Sequence, residues 1–197
     1  MAKTVEQRVE ELERIVKQLQ KEKCIFIKKK LTVGDTFKLM GLKWKIFDIT
    51  EHGYKCIAEK MKDNKTFGNN NDWKESSIRK YLNGEFYKEL AGVIGEDNII
   101  PFERNLISLD GQKEYGYCED YVSIISLDEY RQYRELLPNE AYYWWTLTPD
   151  STKCNDDTSW IRVVCPSGYV NRYNYDSFSG VRPVCIFSSA IFESEEE

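Results

Sequence analysis

Past residue 30 the apolar residues arrive in short runs, and this spacing limits the possible folds more than any other feature of the chain. Runs at 36–39, 42–50 and 54–59 have strand length and are parted by Gly41 and Gly53, the pattern of a β-meander. The same habit returns after Tyr142, where runs at 144–147, 160–164, 169–173 and 181–187 alternate with polar loops. Between these stretches lie helical patterns. Asp72 opens one, with Glu75 three residues on in the manner of a capping box. Ile78, Tyr81 and Leu82 form its apolar face and Asn83-Gly84 stops it. A second short helix is expected over 85–93, a strand-like piece at 121–125, and a third helix over 127–137, closed by Pro138. Strands at both ends with helices between them predict an α+β domain.

Residues 1–23 follow a different rule. Ala2, Val9 and Val16 fall at position a of a heptad and Val5, Leu12 and Leu19 at position d, with Glu, Lys, Arg and Gln nearly everywhere else. This predicts an N-terminal coiled-coil helix that oligomerises, although a single amphipathic helix packed on its own domain has the same stripe. The domain proper then spans 24–192, and 193–197 is an acidic tail expected to be disordered. Such a stalk is short, so the domain sets the stoichiometry, here expected to be a homotrimer.

Several functions are argued against. The formal charge of −5 lies almost wholly in Glu193, Glu195, Glu196 and Glu197, so the body has no basic face for nucleic acid. No apolar run is long enough to insert in a membrane, and the charged start predicts no signal peptide. The six cysteines are scattered without a CxxC pair and His52 is the only histidine, so neither a zinc site nor any other metal or cofactor is expected. No nucleophile elbow, P-loop or dinucleotide fingerprint occurs, and a single histidine leaves little for a catalytic triad. The expectation is a protein that is not an enzyme.

The most informative stretch is 154–181. It has no Lys, Glu, Gln or Met, where the chain's average would place about seven. Tyr, Ser, Gly, Asn and Asp dominate instead, the mixture of antibody combining loops: rigid amphipathic rings beside small adaptable hydrogen-bonders. Randomising the two adenines of an AAC or AAT codon yields the same palette. Twelve side chains are therefore expected to bind ligand: Asn155, Asp156, Asp157, Ser159, Tyr169, Asn171, Tyr173, Asn174, Tyr175, Ser177, Phe178 and Ser179. Alternation along the strand predicts Tyr169, Asn171 and Tyr173, with Tyr175, on an open surface, and Val170, Val181 and Val184 facing the core.

Three motifs add a resemblance. They are Asp72-Trp73-Lys74-Glu75-Ser76-Ser77-Ile78-Arg79-Lys80-Tyr81-Leu82-Asn83, Trp144-Trp145-Thr146-Leu147-Thr148-Pro149, and Gly180-Val181-Arg182-Pro183-Val184. Together they resemble the variable proteins of diversity-generating retroelements, a bacterial and phage family. Its fold is that of C-type lectins, in the formylglycine-generating-enzyme-like branch. The resemblance covers about residues 33–188. It implies a C-type-lectin-like domain that displays a hypervariable segment, here about 150–180, to a protein or glycan receptor on a cell surface, in a phage virion or otherwise in the cytoplasm. Read physically, Trp73, Trp144, Trp145 and Arg182 in these motifs are large groups suited to a buried brace. Relatives usually follow the double Trp with Leu-Arg-[Ser/Thr]-Pro, whereas Thr146 and Leu147 stand here. The paired catalytic cysteines of the formylglycine-generating enzymes have no counterpart. Two alternatives remain: a thiol-dependent oxidase on the same fold, using Cys154, Cys165 or Cys185, and a structural assembly protein of a phage particle.

Overall fold

The computed structural model describes residues 30–192, together with Arg8 and Glu11. Of the expected stalk over 1–23 only Arg8 and Glu11 are described, both helical, and the tail over 193–197 lies outside the described residues. Thirteen strands follow one another: β1 (Thr36–Leu39), β2 (Leu42–Thr50), β3 (Gly53–Ala58), β4 (Asp63–Thr66), β5 (Ile99–Ile100), β6 (Phe102–Asn105), β7 (Tyr117–Asp120), β8 (Val122–Ser123), β9 (Trp144–Pro149), β10 (Trp160–Val164), β11 (Val170–Asn174), β12 (Phe178–Val181) and β13 (Val184–Phe187). Within residues 30–192 three α-helical segments accompany them: α1 (Ser77–Tyr81), α2 (Tyr87–Ile94) and α3 (Leu127–Gln132). The class is α+β, as expected.

One sheet runs in the order β1-β2-β3-β13-β5, with β8 also paired to β13 and every pairing antiparallel. The last strand of the chain thus lies inside the sheet that the first strands begin. A second sheet runs β11-β10-β9-β12-β4, antiparallel except where β12 meets β9. β6 and β7 form a separate ribbon.

The expected single strand over 181–187 is two strands. Arg182 and Pro183 divide it, because proline has no N–H for a ladder, and the chain crosses there from the second sheet to the first. Pro183 keeps one ladder bond, accepting from the Ala58 N–H at 3.0 Å. Arg182 fills the crossing. It is fully buried, donates from Nε to the Ala58 carbonyl (3.0 Å) and from Nη1 to the Pro138 carbonyl (3.2 Å), and lies 4.6 Å from the centre of the Trp144 ring. Burial pushes its guanidinium down to about 10, still well above neutrality, so the charge is retained.

The helices need two corrections. Asn83-Gly84 does not stop the first one: the helix runs on through a π-helical turn at Leu82–Phe86 and ends at Gly95, whose φ of 86° an L side chain rarely adopts. Asn83 is engaged sideways instead. Its amide donates to the Val122 carbonyl (2.8 Å) and its oxygen accepts from the Tyr121 and Val122 N–H groups. Nor do Asp72 and Glu75 form a reciprocal box. Asp72 caps only a 3-10 turn at Trp73–Glu75, Glu75 turns to Asn70 (2.6 Å), and Ser76 caps α1. The reciprocal box is at α3, between Ser126 and Glu129.

Two apolar clusters meet across the second sheet. β9 supplies both from neighbouring residues: Trp145 packs with Phe67, Ile161 and Val163, while Trp144 packs with Val164, Tyr130 and Val184. Successive side chains of a strand point to opposite faces, so one dipeptide ties the two clusters together. The brace is buried, as expected for groups of this size: Trp73, Trp144, Trp145 and Arg182 are each at most 1% exposed.

Candidate ligand-binding cleft

The first of the three motifs converges on a residue far from it in sequence. Asp120 is buried and accepts from Trp73 Nε1 (2.7 Å) and from Arg79 Nε (2.7 Å), with the Asn83 amide at 3.4 Å. Trp, Arg and Asn at 73, 79 and 83 are thus donors converging on one carboxylate, and the motif is framework rather than ligand site. The second motif is framework too. The Thr146 hydroxyl donates to the Arg162 carbonyl (2.9 Å), and Thr148 Oγ1 accepts from the Leu127 N–H (2.9 Å), tying β9 to β10 and to the start of α3. Trp145 Nε1 donates to the Lys65 carbonyl (2.8 Å) and so holds β4.

The twelve expected site residues divide into five places. Asn155, Asp156 and Asp157 sit on a 3-10 turn after β9, where Asp156 adopts the left-handed conformation. The Asn155 amide is spent on Asp110 (3.0 Å) and Ser151 (3.1 Å), which ties this turn to the loop after β6. Hydroxyls of Ser108 and Ser151 hold the Asp110 carboxyl below the usual carboxylate range. Ser159 is half-buried just before β10 and its carbonyl accepts from the Tyr175 N–H (2.9 Å). Tyr169 and Asn171 are exposed on and beside β11, an edge strand. Asn174, Tyr175 and Ser177 form the half-buried turn into β12.

The fifth place is a cleft of about 460 Å³ that brings together Tyr173, Phe178 and Ser179. Its remaining wall comes from outside the expected segment: Tyr142 and Tyr143 just before β9, and Met61 to Asn64 entering β4. Tyr143 and Tyr173 stack with centroids 4.7 Å apart, and Trp145 meets Tyr173 edge-on at 6.5 Å. Tyr142 and Phe178 remain 71% and 69% exposed at the mouth. Next to the lining residue Ser179 is Gly180, against which the Met61 side chain packs in the space a Cβ would need, and whose N–H donates to the Tyr143 carbonyl (2.8 Å). This explains the glycine of the third motif. Beside it the Ser179 hydroxyl is buried without a protein partner.

Three expectations are therefore corrected. Tyr173 is not on an open surface, because Tyr143 covers it. Tyr175 packs against the core beneath the turn, and Ser179 is only 2% exposed. Val181 and Val184 are fully buried as expected, and Val170 is partly buried beside Val164 and Trp144. Alternation named the shared face of Tyr169, Asn171 and Tyr173 correctly. It could not show that a neighbouring loop closes over one end of that face. Tyr142 and Tyr143 escaped notice as site residues, although the run Tyr142-Tyr143-Trp144-Trp145 holds two rings more than a core strand needs.

Among the described residues no group of three His, Cys, Asp or Glu side chains is placed to hold a metal, and no helix is long and apolar enough to cross a membrane. The five described cysteines are free thiols. Burial pushes the thiols of Cys56 and Cys185 well up and that of Cys118 up to about 11, while a hydrogen bond to Glu114 raises exposed Cys154. No protein-family profile, curated protein or solved structure matches the chain.

Proposed function

We propose that this protein is a non-enzymatic binding protein, presenting a diversified C-terminal surface from a C-type-lectin-like framework of the kind used by diversity-generating retroelements. One observation carries the reading. The motif side chains Trp73, Trp145 and Arg182 are buried and hydrogen-bonded into the framework, with Arg182 against the buried Trp144 ring, while most of the polar and aromatic residues of 154–181 lie on an edge strand, on turns and around a cleft. Recognition groups on the margin of a rigid frame can vary without cost to the core, and little ordering entropy is lost on binding. The ligand is a protein or glycan receptor on a cell surface, the setting a phage or prophage, and the assembly a trimer gathered by residues 1–23.

Exposed Tyr169 and Phe178 favour this reading over a purely structural particle protein, which would bury its C-terminal rings against neighbours. The thiol-oxidase alternative calls for an accessible, readily ionised cysteine. Cys185 is buried and the exposed Cys154 has its thiol raised by Glu114, so neither suits that chemistry.

Sequencing the surrounding DNA tests the proposal directly. The expected result is a reverse-transcriptase gene and a near-copy of the codons for 154–181 that differs at adenines. A locus with neither would overturn the diversified-display reading. Light scattering tests the assembly, and a monomer at tens of micromolar would remove the stalk from the proposal.

A further inference from the structure

Resting on the reading that this protein binds a ligand at its second sheet, we propose that the cleft between Tyr142, Tyr173 and Phe178 is a neutral-saccharide subsite that requires no metal ion, and that most of its lining lies outside the diversified segment. At about 460 Å³ the cleft falls within the roughly 300–1,000 Å³ range of small-ligand sites. Its mouth consists of two aromatic rings left largely open to water, Tyr142 and Phe178. A ring in that position offers a flat apolar face, which matches the C–H face of a pyranose. The rest of the lining is polar without an unpaired carboxylate: Asp63 is paired with Lys65 (3.4 Å), Lys62 adds one cation, and Asn64 supplies a donor and an acceptor side by side. A ligand with an apolar face, no net charge and many hydroxyls fits that set.

An extended peptide fits less well. It would dock by adding a strand to β4, the free edge beside the cleft, and would need open main-chain groups there. The Asn64 N–H already meets the Asp63 carboxylate (3.3 Å), the Thr66 carbonyl accepts from Ser77 Oγ (3.1 Å), and the Lys65 carbonyl accepts from Trp145 (2.8 Å).

Six of the nine lining residues lie outside 154–181, among them Met61, Asn64, Tyr142 and Tyr143. Diversification at 173 and 178 therefore alters the fit of the subsite without erasing it, so a family of variants would share a weak preference for neutral sugars.

The test uses the full chain on an array of neutral and sialylated glycans, followed by saturation-transfer NMR with maltotetraose and chitotetraose. Neutral glycans should bind, and Tyr142→Ala and Phe178→Ala should each weaken binding about ten-fold, the worth of one aromatic stack. Tyr169→Ala, on the far edge, should change it less than about two-fold, and all three variants should melt together with the parent. A Tyr173→Ser/Phe178→Ser double variant should keep a residual signal that Tyr142→Ala then abolishes. An array without neutral hits, hits confined to sialylated glycans, or binding that survives both Tyr142→Ala and Phe178→Ala would overturn the subsite. These failures leave the display reading standing if the adenine-edited repeat is found. A locus without that repeat removes the display reading and leaves a sugar signal at Tyr142 intact.

Discussion

β9 and β11 lie in one sheet with a single strand between them, and they behave as opposites. Every residue of β9 is buried, whereas no residue of β11 is. β9 has a strand on each side and a cluster on each face, so Trp144 and Trp145 are enclosed whichever way they point. β11 has a partner on one side only, and what covers its rings depends on loops. Tyr169 and Tyr173 share a face, yet the first is 67% exposed and the second is covered by Tyr143. Alternation decides the face of a side chain; strand order and nearby loops decide whether that face meets water. A sheet can in this way hold its framework in a central strand and its variable contacts on an edge.

The comparison is broken most severely on the framework side. Asp120→Ala should cost about 3–5 kcal/mol, because it leaves Arg79 and the Trp73 N–H without their shared acceptor. Urea unfolding measures this, and a loss below about 1 kcal/mol would mean that the motif residues do not depend on that carboxylate.

Acid should act on the same side with a smaller effect. Burial alone would raise the Glu129 carboxyl, but Arg104 at 2.6 Å and Lys55 at 2.6 Å outweigh it and hold the group well below the usual carboxylate range. A carboxylate depressed in the folded state contributes stability that is present above its unfolded value near 4.5 and is lost as pH falls through the folded one. Melting temperature should therefore fall as pH drops below about 4.5, and Glu129→Gln should flatten that fall while lowering stability at neutral pH. Equal slopes in parent and variant would assign the acid response to other groups.

These anchors also mark where sequence reading stopped. β1, β2 and β10 were legible residue for residue, since their apolar runs end at glycines or polar loops. β4 was not: Asp63-Asn64-Lys65-Thr66 has no apolar residue, and its strand conformation comes from pairing with β12 at a sheet edge. The brace residues were recognisable by type, yet the Asp120 carboxylate that three of the motif's donors seek lies about 40 residues away and nothing local announces it. For the cleft, three lining residues were named from composition. The other six enter through contacts between segments some 30 to 120 residues apart, which no periodicity reports.

Tyr173→Ala sharpens the comparison within β11 itself. Its ring stacks on Tyr143 and meets Trp145, so truncation should cost about 1–3 kcal/mol, between a surface site and a core aromatic. A variant as stable as the parent would show that Tyr143 covers the ring without holding it.

The smallest effect is expected at the mouth of the cleft, where it also says most about function. Phe178 begins β12 and pairs with Thr66 through its backbone, so its place in the sheet does not depend on its ring. With 69% of that residue open to water, truncation to alanine removes little buried apolar surface. Phe178→Ala should therefore shift unfolding by no more than about 0.5 kcal/mol, and Tyr142→Ala, in the loop before β9, should do the same. Exposed aromatic rings lower solubility and are retained where a partner covers them. If either substitution destabilised the fold as much as Tyr173→Ala, that ring would count with the framework, and the line between frame and display would have to move from β11 into the cleft.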